Sequence, residues 1–540
     1  SVKEEIQFVL DHEAFAHTLC DLEAAGKKFL VDCGMEQGND VYENQELPIA
    51  ASDVDCILLT HAHIDHSGLI PLMYVNGFRG QVYSTSATAQ LCEIMLRDSA
   101  HIQMFEAEWR NRKAARSGGK LKEFVPLYDM DAAVNVCKQF VGCEYDRVYD
   151  IAEGIKIRFT DVGHLLGSAS IEVWATEKTE NGDVTEKIVF SGDIGNINKP
   201  IIKDPKHVRD ADYVVMESTY GNRSHGGTPN YVEDLTDIFK RTFERGGNVV
   251  IPSFAVGRTQ ELLYIIRKIK EDNLVGRDFD VYMDSPLAIE ATNIFIKNVE
   301  SCFDDEAVEL VRKGINPLSF PGLKYATTGD ESKQINFDPN PKVIISSSGM
   351  CEAGRIRHHL KHNLWRPECT IVFVGYQAVG TTGRIIVDGA EEIKLFGEPI
   401  QIKAEIVQLK GSSGHADKDG LLCWINAFDT KPKKVFVVHG EDSVCDEFTE
   451  CLKEEYGYDA MAPYTGGSYD LIADRVISEG VKERKTRRTT STQRGKTVFD
   501  RLVAAGKRLM TVITHNEGGT NKDLAKFTDQ INALCDKWDR

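Results

Sequence analysis

The sequence predicts an α/β protein in which a strand-rich region at each end of the chain flanks a domain built on a parallel sheet. Three observations carry that reading. Over the first 215 residues, short apolar runs alternate with polar, turn-rich links. From about residue 229 the pattern becomes regular strand–helix alternation, which favours parallel strands joined by helices. After 399–417 the chain returns to strand–loop units. A chain of 540 residues is too long for one core, so roughly two to four domains are expected.

Taken in order, "SVKEEIQFVLDHEAF" opens without a basic segment or a long apolar run, and so is not read as a signal peptide. "KKFLVDCG" (27–34), "VDCILLTHAH" (54–63), "KIVFSGDIG" (187–195) and "ADYVVMESTYG" (211–221) each read as a strand running into a polar or glycine-rich loop. Residues 86–116 have helical periodicity without proline, and "NRKAARSGGKLKE" (111–123) reads as an exposed basic link. "YVEDLTDIFKRTFERGG" is a helix stopped by a glycine pair. "NVVIPSF" is a strand, "TQELLYIIRKIKED" a helix and "DFDVYMDSPLA" a further strand. "KVIISSSGM" and "TIVFVGYQAVGTTG" are strands running into small-residue loops, and "KKVFVVHGE" (433–441) is a late strand. Residues 481–508 hold ten Lys/Arg against two acidic residues and read as a basic linker leading into one or two short helices.

Composition narrows the class. Hydrophobic residues at 42% and charged residues at 27% are ordinary for a globular protein. No run of eighteen apolar residues occurs, so no membrane span is expected. The thirteen cysteines are odd in number, scattered and free of CxxC pairs, which points to reduced thiols in a cytoplasmic setting. A net charge of −19 argues against a uniformly basic nucleic-acid binder. It leaves a nuclease open, because metal ions and a few arginines supply local positive charge against an acidic background.

The chemistry concentrates in "LLTHAHIDHSG" (58–68), where His61, His63, Asp65 and His66 follow an apolar run within one hexapeptide. Imidazole and carboxylate donors without thiolate suit Zn²⁺ or a similar divalent ion in an open, hydrolytic site. Single histidines near strand ends are usually satisfied surface or core residues; three with an aspartate in six positions are hard to explain that way. Further donors recur at other strand ends: His164 in "TDVGHLLGS", Asp193 in "FSGDIG" and His439 in "FVVHGE". Each alone has a bland explanation, such as an Asx turn at Asp193. Together they point to a site for two ions.

This ordered set resembles the metallo-β-lactamase superfamily, through Asp32 in "VDCG", the HAHIDH motif, His164 and Asp193 in "SGD". Glu217 in "ESTYG", His415 in "SSGHAD" and His439 in "VVHGE" make it similar to the β-CASP branch, whose nucleic-acid-processing members include ribonuclease J, the pre-mRNA 3′-end cleavage endonuclease and Artemis. "SFAVGRTQEL" (253–262), "MDSPLA" (283–288) and "SSSGMCEAGR" (346–355) resemble that branch's inserted cap domain. The resemblance implies an αββα sandwich domain formed by residues 1–213 and 399–480, a β-CASP domain over 214–398, and a tail over 481–540.

It also implies roles. His61, His63 and His164 would hold one zinc and Asp65, His66 and His439 a second, with Asp193 between them. Asp32 would orient histidines as a buried acceptor. Two zincs per chain would activate a water for hydrolysis of an RNA phosphodiester, with Asp65, Asp193, Glu217 and His415 carrying catalysis. His415 would protonate the leaving oxygen while Glu217 accepts a hydrogen bond from its ring. Members acting on DNA typically lack a histidine at the His439 position, so a single-stranded RNA partner is implied. Ser347 and Ser348, with Arg258 and Arg355, are the expected phosphate contacts.

Endonucleolytic and 5′→3′ exonucleolytic action both stay open. The rivals are a small-molecule metallohydrolase on the same scaffold and a non-catalytic subunit of an RNA-processing complex. The region 11–26 departs from the family by lacking a Val-Thr-Gly-Ser type segment, and His12 and His17 within it are read as non-ligands. The tail is open to electrostatic RNA contact, packing in a homodimer, or a solvated extension; the last is the default.

Overall fold

The computed structural model describes residues 7–11, 19–35, 49–116, 124–226, 230–409, 413–464, 466–480 and 497–538. Lys27–Val31 and Cys56–Leu58 pair in parallel through the buried apolar stretches Phe29–Val31 and Cys56–Leu58. Continuous apolarity over those stretches suits strands covered on both faces. They lie in an eight-stranded sheet ordered Arg475–Ser478, Gly467–Asp470, Gln7–Asp11, Leu19–Ala24, Lys27–Val31, Cys56–Leu58, Gln81–Thr85, Phe140–Cys143. A seven-stranded sheet runs Ala460–Met461, Lys434–Val438, Tyr213–Glu217, Gly182–Phe190, Ala169–Thr179, Ile155–Asp161, Val148–Ala152. Both sheets therefore take strands from both ends of the chain.

The two sheets face each other across one apolar layer, in which Leu22, Phe29, Val31 and Leu58 meet Phe159, Ile171, Ile188, Val215 and Phe436. Leu30, Ile57 and Val82 point the other way, beneath the helices Ile70–Val75 and Ser86–Arg116. On the far side of the second sheet, Val189, Val214 and Val437 pack under Lys418–Ile425 and Asp442–Glu454. The result is an αββα sandwich. Phe159 is fully buried between the sheets. Phe159→Ala is expected to lower stability by about 3–5 kcal/mol, read as a reduced midpoint in denaturant unfolding.

Between the ends lies a third sheet, ordered Leu323–Tyr325, Asp280–Asp284, Lys342–Ser346, Val249–Pro252, Thr370–Phe373, Glu405–Gln408 and parallel throughout. Helices Tyr231–Glu244, Arg258–Glu271 and Pro286–Lys297 cover one face, and Ile356–Asn363 and Thr382–Val387 the other. Ser285 caps Pro286–Lys297 by accepting from the Ala288 N–H, with Pro286 at the first helical position.

Strand pairing draws the limits of this insertion later than the sequence pattern does. Tyr213–Glu217 stays in the second sandwich sheet, and Glu405–Gln408 forms an edge of the inserted one. The helix Ser86–Arg116 includes 111–116 of the segment read as a link, while 117–123 lie outside the described residues. Gln7–Asp11 and Leu19–Ala24 form an antiparallel pair around the region that lacks the Val-Thr-Gly-Ser type segment, and His12 and His17 lie outside the described residues. In the tail, Thr497–His515 and Asn521–Trp538 are helices of 19 and 18 residues, longer than expected, and the linker 481–496 is outside the described residues. Among the described residues no helix is long and apolar enough to cross a membrane. All thirteen cysteines are free.

Candidate metal centre

Three neighbouring parallel strands of the second sheet end side by side: Gly182–Phe190 leads to Asp193, Tyr213–Glu217 ends on Glu217, and Lys434–Val438 leads to His439. In the facing sheet, the parallel strands Lys27–Val31 and Cys56–Leu58 lead to Asp32 and His61. His164 follows Ile155–Asp161. Carboxyl ends of parallel strands are where an α/β sheet opens a crevice, and the buried strands hold the loops above them in place. The HAHIDH segment leaves its strand and turns through a single helical turn, Ile64–Ser67. That turn divides its four donors between two directions. Gly34 makes the turn's close approach possible, since a Cβ there would stand 1.5 Å from the Asp65 carbonyl oxygen.

The seven expected ligands converge. One set joins His61, His63, His164 and Asp193, another Asp65, His66 and His439, and within each set one donor atom per residue lies within 4.8 Å of every other. Asp193 stands between them. Its Oδ2 is 3.4 Å from His61 Nε2 and 3.5 Å from His164 Nε2. Its Oδ1 is 3.2 Å from His66 Nε2 and 3.4 Å from His439 Nε2. His63 Nδ1 lies 3.0 Å from His61 Nε2 and 3.2 Å from His164 Nε2. His439 and Asp32 both take left-handed backbone conformations, with φ of 50° and 62°, as residues held in functional clefts often do.

The outer bonds decide which nitrogen faces inward. His66 donates from Nδ1 to Asp32 Oδ2 at 2.8 Å, so Nε2 is the nitrogen turned toward Asp193. Thr60 Oγ1 donates to the same Asp32 oxygen at 2.8 Å and so must accept from His61 Nδ1 at 3.1 Å. His164 Nδ1 donates to the Gly414 carbonyl at 3.2 Å. One buried carboxylate thus sets the tautomer of two histidines, one directly and one through a hydroxyl. Thr60 was not singled out in the sequence; its place directly before the HAHIDH motif is the signal that could have found it. Asp32→Ala is expected to lower zinc affinity about 10–100-fold, measured by competition with a chromophoric chelator.

The site fits divalent cations on its own chemistry. Both Asp193 oxygens and His66 Nε2 are buried with no hydrogen-bond partner. Such orphaned groups are costly in a folded interior unless a cation completes them. Burial, followed by the charge of neighbouring histidines, lowers the pKa of His61, of His63 to about 3, and of His164 well below the usual range. Their lone pairs are therefore free for an ion at neutral pH, as metal binding requires.

His415 completes the crevice. Its Nδ1 is 3.2 Å and 3.3 Å from the two Glu217 oxygens and 3.9 Å from Asp193 Oδ2. Glu217 is itself fixed, accepting from the Ile194 N–H at 2.5 Å and the Thr219 N–H at 3.3 Å. Burial opposes a charged His415 ring, but Glu217 and then Asp193 outweigh it and raise the pKa to about 9, so the ring holds both protons at neutral pH.

The expected phosphate contacts lie on the inserted domain, mostly engaged within the protein. Arg355 donates to Asp284 Oδ1 at 2.7 Å and to the Ala326 and Thr327 carbonyls at 2.9 and 2.8 Å. Arg258 pairs with Glu261 at 2.5 Å, and Glu261 with Lys199 of the sandwich at 2.9 Å. Ser347 donates to Ser285 at 2.8 Å, and Ser348 lies 3.4 Å from both the N–H and the carbonyl of Ala353.

An αββα sandwich whose strand ends gather imidazoles around a shared carboxylate defines a metal-dependent hydrolase. Three family models match the chain: a metallo-beta-lactamase superfamily domain over residues 21–196, a Beta-Casp domain over 259–386, and a Zn-dependent metallo-hydrolase RNA specificity domain over 399–463. The chain belongs to the metallo-β-lactamase superfamily, in its β-CASP branch. It is similar to Ribonuclease TTHA0252 of Thermus thermophilus, 34% identical over 420 residues that make up 78% of this chain and 89% of that one. An RNase J-like protein of Methanocaldococcus jannaschii is 30% identical over 78% of this chain and 89% of its own length. Transcription termination factor FttA of Methanosarcina mazei is 32% identical over 81% of this chain, and the match spans 66% of that longer relative.

Proposed function

We propose that this chain is a zinc-dependent ribonuclease that holds two zinc ions and hydrolyses phosphodiester bonds in single-stranded RNA. The observation that carries the reading is the division of Asp193, one oxygen toward His61 and His164 and the other toward His66 and His439. A carboxylate so placed suits a pair of ions rather than one. The names of the relatives and the RNA specificity match support RNA as the substrate. The free thiols fit a reducing, cytoplasmic setting.

His61, His63, His164 and Asp193 would hold one zinc; Asp65, His66, His439 and Asp193 the other. Zinc bound there supplies Lewis acidity toward the phosphate and acidifies a water at neutral pH. Asp32 and Thr60 keep His66 and His61 in the tautomers that present Nε2. Glu217 turns His415 so that Nδ1 is occupied and Nε2 carries the proton given to the leaving oxygen. The inserted domain walls the crevice where its Glu261 meets Lys199, and Lys199 in turn donates to the His164 carbonyl at 3.2 Å. Ser347 and Ser348 are the hydroxyls assigned to flanking phosphates.

Metal analysis of the purified protein with cleavage of an end-labelled single-stranded RNA tests this. About two zincs per chain and cleavage abolished by chelation and restored by zinc are expected. Zinc without RNA cleavage would favour the small-molecule hydrolase, and absence of both a non-catalytic subunit.

A further inference from the structure

The loop that follows Glu217 returns to grip the loop bearing His415. His225 Nε2 lies 3.2 Å from the main-chain carbonyl of His415, and since a carbonyl only accepts, the ring donates. The His225 N–H donates to Asp417 Oδ2 at 3.0 Å, the Lys418 N–H to the Arg223 carbonyl at 3.0 Å, and Ser224 Oγ to Asp419 at 2.8 Å. From the opposite side, the loop after Asp193 holds the same segment: the Ala416 N–H donates to the Ile194 carbonyl at 2.7 Å and the Asn196 N–H to the Gly414 carbonyl at 3.2 Å. Tyr220 stands edge-on to the His225 ring, centroids 4.5 Å apart, and limits its rotation. Within this clamp the His225 side chain holds the His415 carbonyl, while the Ser413 hydroxyl accepts from the His415 N–H at 3.1 Å.

We infer that His225 is a positioning residue for proton delivery by His415, resting on the ribonuclease reading above. Glu217 restrains the His415 ring only at Nδ1, so where Nε2 stands relative to a leaving oxygen is set by the backbone beneath the ring. His225 fixes that backbone without touching zinc ligands or substrate. A displacement of a catalytic group by about 1 Å costs up to about 10²-fold in rate.

The test compares two substrates on the zinc-loaded full chain: single-stranded RNA, whose leaving alkoxide needs a proton, and bis(p-nitrophenyl) phosphate, whose leaving phenolate does not. His225→Ala should lower kcat on RNA about 10–100-fold with KM and zinc content unchanged, and leave turnover of the nitrophenyl ester near wild type. His225→Gln, whose amide nitrogen can donate to the same carbonyl, should recover most of the loss. Equal losses on both substrates, a fall in zinc content, or no loss on RNA would overturn the inference. His415→Ala runs alongside. If it shows the substrate difference and His225→Ala does not, only the positioning role falls; if neither shows it, the general-acid reading falls with it.

Discussion

Asp193→Ala protein should emerge from purification with its zinc depleted and with no RNA cleavage above background. Asp193 is the single carboxylate shared by both donor sets, and its two oxygens face four histidine nitrogens at 3.2–3.5 Å. Removing it takes an anionic donor from each set at once, leaving only imidazoles in one and Asp65 as the remaining carboxylate in the other, which weakens both sites together. In the metal-free centre burial works against the carboxylate, yet His66 and the neighbouring histidines keep its pKa well below the usual range. It is therefore already ionised for binding at any pH near neutral. Elemental analysis and circular dichroism on the same sample separate loss of metal from loss of fold. Asp193→Asn, nearly the same shape, repeats the test where alanine unfolds. A variant that kept full zinc would remove Asp193 from the shared position.

His415→Ala should give the opposite pattern, with zinc retained and RNA cleavage slowed by about 10²–10⁴-fold, the usual contribution of a general acid. The ring is partly exposed, faces Glu217 at 3.2 Å, lies 3.9 Å from Asp193 and packs against the His164 ring with centroids 4.6 Å apart. It lies at the edge of the donor sets, and its loss removes a proton source rather than a ligand. Paired with Asp193→Ala, it separates building the site from using it. A His415→Ala protein that arrives empty would make His415 a metal ligand and leave the leaving oxygen without an assigned acid.

Much of the site was legible because metal chemistry is restrictive. Few residue types bind zinc, and HAHIDH places four of them in six positions, so His61, His63, Asp65 and His66 stand out without any structure. His164, Asp193 and His439 could be read as partners because each follows a run that must be a buried strand, and strand ends are where loops can meet. The same periodicity marked the inserted parallel sheet. Its limits were less legible: the final edge strand Glu405–Gln408 and the retained strand Tyr213–Glu217 depend on which neighbour they pair with.

By itself, then, the sequence determined the donor set and the class of chemistry, since both depend on which side chains are present and how they are spaced. Tertiary structure alone decided which nitrogen of each histidine faces inward, through Thr60, Asp32 and the Gly414 carbonyl. It also decided that Arg258 and Arg355 sit in ion pairs with Glu261 and Asp284, and that His225 reaches the backbone of His415. Hydrogen bonds and ion pairs act over about 3 Å, and residues hundreds of positions apart come that close only once the sheets have stacked and the insertion has docked.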